Sequence, residues 1–409
     1  MTRETVLLLG NYRPTLTLAR TLGAQGHHII SGREGCDGGA EHSRFVDEIW
    51  DHTSVRGDSE GFLSDLLGFL AERPEISIVF PVSEEFVRLL AAHRSALPGS
   101  VLWVLNDPRL VDACLDKLGL MHLAVENDVP TAPFEMVDTL AEFHQAADRI
   151  GAPMVIRPEK STDRIGGKKA LVCETADELA AVSAEIGSAP RRLLLQRKAG
   201  GLRHNIYFGA QGGRIVRYLH ALIERTDMPD GTGLAVEGVT IDPDPELRAY
   251  TERMIAALDY TGIGCAQYLV DEDGSVSFLE INCRIAGNHA VPEEAGLDLT
   301  GLAVTLASNP AADVQTIEGR AGVRYVWTCG DLLGVKLARW RGDLTATQMM
   351  SGIARAVWAA VRADIHMKWS WCDPMPAVQS LRQVMPEMHG VTGRLRALLQ
   401  PARRIWHGS

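Results

Sequence analysis

The stretch Gly264–Gly287, GCAQYLVDEDGSVSFLEINCRIAG, constrains this 409-residue chain more than any other. Two short apolar runs flank the turn Asp271-Glu272-Asp273-Gly274, which predicts a β-hairpin. In the second strand Glu280, Asn282 and Arg284 recur at period two, so they share one face. If Val270 pairs with Ser275, Gln267 lies opposite Phe278 on that same face. Gln267 and Glu280 are then diagonal neighbours, about 7–8 Å apart at Cα. This surface offers a carboxylate, two amide oxygens and a guanidinium. Oxygen ligands of this kind suit Mg²⁺ that is also held by substrate phosphates, and an adjacent arginine stabilises charge on a phosphoryl group in transfer. The plain alternative is a hairpin with a solvated polar face.

Upstream, residues 5–112 alternate strand and helix. TVLLLG ends in Gly10, PTLTLARTLGAQG has helical spacing, HHII follows, ISIVFPV (76–82) leads into a helix from Ser83, and VLWVLN (101–106) is a further strand. Such βαβ alternation predicts a parallel sheet. The turn after the first strand is GNYRPT and not G-x-G-x-x-G, so a nicotinamide-binding domain is disfavoured. Residues 113–150 read as helical, with Lys117 opening an amphipathic stretch before PTAP. In GAPMVIRPEKSTDRIGGKKALVCET, a strand ends at Arg157 and a polar loop with Gly166-Gly167 leads to a second strand. Paired glycines let backbone N–H groups approach phosphate oxygens, and Arg157 is a fixed cation at the strand end. A plain hairpin turn is the alternative there.

Length allows two or three domains, and 46% apolar with 23% charged residues is ordinary for an α/β protein. No apolar run is long enough for a membrane helix, and the N-terminus lacks the cleavage pattern of a signal peptide. The seven cysteines include no C-x-x-C, which predicts reduced thiols, a cytoplasmic setting and no structural zinc. The net charge of −11 is uneven: residues 320–409 carry 13 Lys/Arg against 5 Asp/Glu, and the rest carries 28 against 47. The acidic bulk excludes nucleic acid as a partner. The basic C-terminal stretch also holds six of the eight tryptophans, which suggests burial against the acidic body; an anionic membrane surface is the competing partner.

The motif FLEINCRIAG resembles the E-x-N-P-R signature of ATP-grasp enzymes, with Cys283 in place of the usual proline, and the glutamine on the preceding strand is similar to the carbamoyl-phosphate synthase branch. The resemblance covers about residues 1–310. It implies an α/β fold of three parts: a Rossmann-like domain over 1–112, a two-lobed α+β ATP-grasp domain over 113–312, and a helical C-terminal module over 313–409. It implies ATP and Mg²⁺ (or Mn²⁺) as cofactors, Gln267, Glu280 and Asn282 as metal ligands, and Arg284 as the catalytic contact to the transferred phosphate. Nucleotide contacts fall on Lys117, Arg157, Gly166, Gly167 and the hinge RLLLQRKA, where Gln196 is the candidate for the adenine edge and Lys198 stands where acidic residues often hold the ribose. His220, Glu224, Arg225 and Asp230 are candidates for the acceptor substrate, although a histidine there is more often structural.

The implied reaction joins a small-molecule carboxylate to an amine through an acyl phosphate, in a homo-oligomeric enzyme. A carbamoyl-phosphate-type or carboxylase reaction on bicarbonate is the first alternative, and a non-catalytic nucleotide-binding regulator the second.

Overall fold

The computed structural model describes residues 3–34, 38–158, 165, 170–186, 192–228, 231 and 233–384. The chain opens with β1 (Thr5–Leu9), α1 (Arg13–Ala24), β2 (His28–Arg33), β3 (Glu48–Asp51), α2 (Ser59–Glu72), β4 (Ile76–Pro81), α3 (Glu84–Ala92) and β5 (Leu102–Trp103). These strands form a parallel sheet in the order β3-β2-β1-β4-β5, as helical crossovers require. The strand expected over 101–106 is confined to two residues. Gly10, at φ +108°, makes the turn into α1; a Cβ there would lie 2.8 Å from the Tyr12 ring. Pro14 in the first turn of α1 leaves no helical N–H unsatisfied.

Residues 113–150 are not continuously helical. After α4 (Pro108–Leu115) and α5 (Lys117–Glu126), β6 (Phe134–Val137) precedes α6 (Leu140–Ile150). Pro130 and Pro133 stop the helix, and the next four residues find backbone partners in a distant strand. With β7 (Met154–Pro158), β8 (Leu171–Cys173), α7 (Ala176–Ile186) and β9 (Leu193–Arg197), they build a small lobe around an antiparallel sheet ordered β6-β9-β7-β8. Phe143, Ile150, Ile156 and Leu195 fill its core.

The large lobe comprises β10 (Leu202–Gln211), β11 (Arg214–Thr226), β12 (Ala235–Ile241), α8 (Pro245–Ala257), β13 (Gly262–Val270), β14 (Val276–Asn282), α9 (Ala290–Glu294), α10 (Leu299–Ser308), β15 (Ile317–Glu318) and β16 (Arg324–Val326). Then follow α11 (Thr328–Arg341), α12 (Ala346–Arg362), β17 (Ile365–His366) and α13 (Met375–Val384). The sheet runs β14-β13-β10-β11-β12-β16-β17 with β15 on β11, so it continues past residue 312. Phe208, Met254, Tyr268 and Phe278 pack one face under α4, α5 and α8. The other face meets the N-terminal domain, where Val6, Leu18 and Phe80 share a core with Tyr207, Leu219 and Ile263. That shared core fixes the N-terminal domain over the face that carries the polar residues.

The end of the described chain docks on the N-terminal domain. The buried Asp373 carboxylate accepts from Arg20 Nε (2.9 Å), Ser43 Oγ (2.7 Å) and the Arg44 N–H (2.9 Å). The expectation that clustered tryptophans mean burial is corrected in part: Trp340, Trp358 and Trp371 are exposed, at 83%, 60% and 89%. The helices α11 and α12 pack on each other and leave an outer face uncovered, and a residue count does not say which face a side chain takes. Trp406 and the basic segment 391–409 lie outside the described residues. Among those described, no helix is long and apolar enough to cross a membrane.

Candidate active site

The site is built on the hairpin β13–β14. Its register is Cys265↔Asn282, Gln267↔Glu280, Tyr268↔Phe278 and Val270↔Val276. The diagonal relation expected for Gln267 and Glu280 is therefore corrected: they are directly opposite. Leu279 is an extra residue in β14, a β-bulge. Its effect is visible in burial. Phe278, Ile281 and Cys283 all enter the core under the helices, a spacing of three and then two. Phe278 thus leaves the face of Glu280, and Glu280, Asn282 and Arg284 remain together on the opposite side.

On that face Asn282 Nδ2 donates to Glu280 Oε1 at 2.8 Å, and Arg284 Nη2 donates to Asn282 Oδ1 at 3.3 Å. Arg284 Nη1 is anchored on the Ile285 carbonyl at 3.0 Å. One carboxylate and two amides form a sparse donor set that fits a Mg²⁺ whose remaining ligands are phosphate oxygens and water. Among the described residues no cluster of three His, Cys, Asp or Glu side chains offers a self-sufficient metal cage. Cys283 points away from this polar row and lies beside Cys114 in the core.

Two cations converge on this row from other elements. Arg157, at the end of β7 in the small lobe, is half-buried; desolvation lowers its pKa, and the nearby Glu280 carboxylate acts against that. Lys117, the first residue of α5, lines a narrow cleft with Glu84, Glu280, Asn282 and Arg284. The N-terminus of α5 is fixed by Asp116, whose carboxylate accepts the Gly119 N–H at 3.0 Å. Gly166 and Gly167 lie outside the described residues.

The hinge candidates make contacts within the protein. Gln196 is buried in the middle of β9, paired with Phe134 and Val155, and its Nε2 faces Met121 Sδ at 3.9 Å. The Lys198 ammonium is engaged by Glu174. The N–H groups of Arg197 and Lys198 donate to the carbonyls of Pro133 (2.8 Å) and Pro153 (2.9 Å). An acidic group does stand at the hinge, but it comes from elsewhere: Asp271, in the β13–β14 turn, is so close that a Cβ on Gly200 would lie 2.6 Å from its Oδ2. Nothing in the local hinge sequence signals it.

The acceptor candidates are mostly occupied by structural contacts. His220 is buried, its Nε2 lies 2.7 Å from His204 Nδ1, and desolvation and the neighbouring histidine push its pKa down to about 4. Arg225 bridges Glu237 at 2.6 Å and Asp331 at 2.5 Å. Glu224 lies 3.6 Å from Arg324. Asp230 is outside the described residues. A further polar group stands on β10: Asn205, directly opposite Gln267, with Arg203 and Tyr207 on the same face. Their alternation along β10 was the available signal.

A family profile described as carbamoyl-phosphate synthase L chain, ATP binding domain, matches residues 239–313. The biotin carboxylase domain of Hydrogenobacter thermophilus 2-oxoglutarate carboxylase, solved with MgADP and bicarbonate, superposes with a TM-score of 0.60 at 17% identity, covering 79% of this chain and 74% of that one. The chain has the ATP-grasp fold. An L-amino acid ligase from Bacillus licheniformis shares this ATP-grasp architecture at a TM-score of 0.56 and 14% identity, over 76% and 75% of the two chains. In sequence, the biotin-dependent acyl-coenzyme A carboxylase alpha3 subunit of Mycobacterium leprae (strain TN) is 25% identical over 227 residues, 50% of this chain and 36% of that protein. The chain spans between about a third and a half of the length of the first curated relatives it matches. The profile match contains the whole β13–β14 hairpin with Gln267, Glu280 and Asn282.

Proposed function

We propose that this protein is an ATP- and Mg²⁺-dependent ligase that joins a small carboxylic acid to an amine. The observation that carries the reading is the single polar row Glu280–Asn282–Arg284 directly opposite Gln267, with Arg157 reaching it from the other lobe. Mg²⁺, when bound, neutralises and aligns the nucleotide phosphates; Gln267, Glu280 and Asn282 are the oxygen donors that hold it. Arg284 and Arg157 are positioned to stabilise charge on the γ-phosphoryl group. A substrate carboxylate oxygen bonds to the γ-phosphorus, the bond to the β–γ bridging oxygen breaks, and ADP leaves. The amine nitrogen then bonds to the acyl carbon, loses its proton, and phosphate departs with the acyl–oxygen bond. The rate enhancement comes from positioning and fixed charge, and no Ser or Cys nucleophile is used.

The test is ADP release from Mg-ATP with pools of carboxylic acids and amines, followed by mass spectrometry of products. Amide product with one ADP per bond supports the reading; ATP hydrolysis unaffected by any acid refutes it. The likeness to biotin carboxylases supports a second reading, in which bicarbonate is the acid. Bicarbonate-stimulated ADP release with labelled carbon fixed into product would favour it over amide ligation.

A further inference from the structure

Beside the metal row the same face of the large lobe carries a second polar group, several of whose buried atoms lack partners. Asn205 lies one strand from Gln267, a spacing of about 4.8 Å. Behind it are the fully buried Tyr207, whose hydroxyl accepts from Asn205 Nδ2 at 3.4 Å, and Tyr325 of β16. Asn288, from the loop after Arg284, stands beside both tyrosines. Arg13, the first residue of α1, reaches in from the N-terminal domain. Its guanidinium carbon lies 3.7 Å from the ring centroid of Trp327, and a Cβ on Gly287 would come within 3.5 Å of its Nη2. Arg203 is fixed at one end, Nη1 donating to the Gly233 carbonyl at 3.0 Å.

Buried polar atoms without partners are rare in folded proteins, because each has lost water without gaining a replacement. Among the described residues, four of the eleven such side-chain atoms belong to this one neighbourhood, Arg13 Nη1, Arg203 Nε, Trp327 Nε1 and Asn205 Oδ1, and Tyr325 and Asn288 interact with one another beside them. Three are obligate donors and two of those belong to cations. Burial lowers the Arg13 pKa to about 10, although Asp227 lies within electrostatic reach; that carboxylate already accepts the Leu234 N–H at 2.7 Å. Obligate donors outnumber amide acceptors among these atoms, and an apolar guest would leave them unsatisfied. Arg13, Arg203 and Trp327 are partly covered as residues, whereas their unpartnered atoms are themselves buried.

We propose that this chamber binds an anionic group of the acid substrate other than the carboxylate that is phosphorylated, so that the substrate is a small dianion, a dicarboxylate or a phosphorylated acid. Calling the guest a substrate rests on the ligase reading; the binding itself does not. The reacting carboxylate faces the metal row, and the second anion reaches one strand further to Arg13 and Arg203. Trp327 makes the C-terminal part of the chain a wall of the pocket.

The experiment titrates the full-length protein calorimetrically with straight-chain dicarboxylates from malonate to pimelate, phosphoglycolate, and the monocarboxylates of matching length. The same acids are then assayed for ADP release. At least one dianion should bind tenfold or more tightly than its matched monoacid. Arg13→Met should erase that ratio while the Kd for Mg-ATP stays within twofold. If Arg13→Met does not fold, Trp327→Phe, which keeps the stacking ring and removes the N–H, should reduce the ratio at least threefold. Equal binding of matched mono- and dianions, or an unchanged ratio in the variants, overturns the proposal. Dianion binding without ADP release refutes only the ligase reading. Turnover of monoacids with no dianion preference refutes only the chamber assignment.

Discussion

Gln267 and Glu280 are direct cross-strand partners because β14 contains one residue more than β13 requires. Leu279 is that residue, and the bulge turns Phe278 into the core while Glu280 stays on the polar face. Deleting Leu279 should therefore straighten the ladder without moving either partner to the other face: Phe278 would stay opposite Tyr268, and Glu280 opposite Gln267. We expect the deletion variant to fold, with a melting temperature within a few degrees of wild type and retained nucleotide turnover. Loss of Mg-ATP binding in a folded deletion variant would show that the bulge aims Glu280 in a way the register does not capture.

Glu280→Gln keeps the shape and the hydrogen bond of the Glu280 side chain but removes the only carboxylate of the ligand row. Mg²⁺-dependent turnover should fall at least a hundredfold, with the circular dichroism spectrum unchanged. Asn282→Ala should also be severe, because Asn282 links Glu280 to Arg284. Turnover by Glu280→Gln at the wild-type rate would refute the metal assignment.

Arg157 is half-buried at the end of β7 and is influenced by Glu280 across the lobes. Arg157→Met should weaken Mg-ATP binding about tenfold or more and leave the affinity for acid substrates nearly unchanged. An effect confined to the acid would place Arg157 in the acceptor pocket instead.

Asp373 is a buried carboxylate with three donors from the N-terminal domain. Asp373→Ala leaves Arg20 without its carboxylate partner, a change that costs about 3–5 kcal/mol when the remaining charge is buried and less here, where Arg20 is partly exposed. A lower melting temperature should accompany faster hydrogen exchange over 365–384. Unchanged exchange there would mean that the apolar contacts of α13 hold the docking alone.

Glu293 accepts the Thr300 N–H at 2.9 Å and lies 3.3 Å from the buried His289, and burial raises its pKa to about 7. A carboxyl whose folded pKa lies above its unfolded value near 4.5 contributes stability that is complete below pH 4.5 and lost as pH rises through 7. Glu293→Gln, which cannot ionise, should thus be more stable than wild type at pH 8.5, by no more than ~3 kcal/mol, and the difference should shrink at pH 5.5. His289, whose pKa burial lowers to about 3, works in the opposite sense below pH 6.5, and at pH 8.5 it is neutral in both proteins. Melting curves at the two pH values decide. A wild type that is the more stable protein at pH 8.5 would show that Glu293 is stabilised as a carboxylate.

What the sequence determined by itself was local and periodic. Alternation at period two placed Glu280, Asn282 and Arg284 on one face, because a pleated strand leaves them no other arrangement. Alternating apolar runs and helical segments required a parallel sheet at the N-terminus. The tertiary structure decided what those periods cannot carry. A bulge shifts register by one residue without any signature in composition, so the partner of Gln267 was legible only from the paired strands. Pairing of β6 with β9, nearly sixty residues later, overrode the helical reading of its surroundings. Asp271 reached the hinge, Arg225 was neutralised by Asp331, and three tryptophans faced outward through contacts between segments far apart in the chain. The chamber around Arg13 draws on α1, β10, β16, the loop after Arg284 and Trp327. Its character lies in the hydrogen bonds these residues do not make, and those become countable only when burial removes water as their partner.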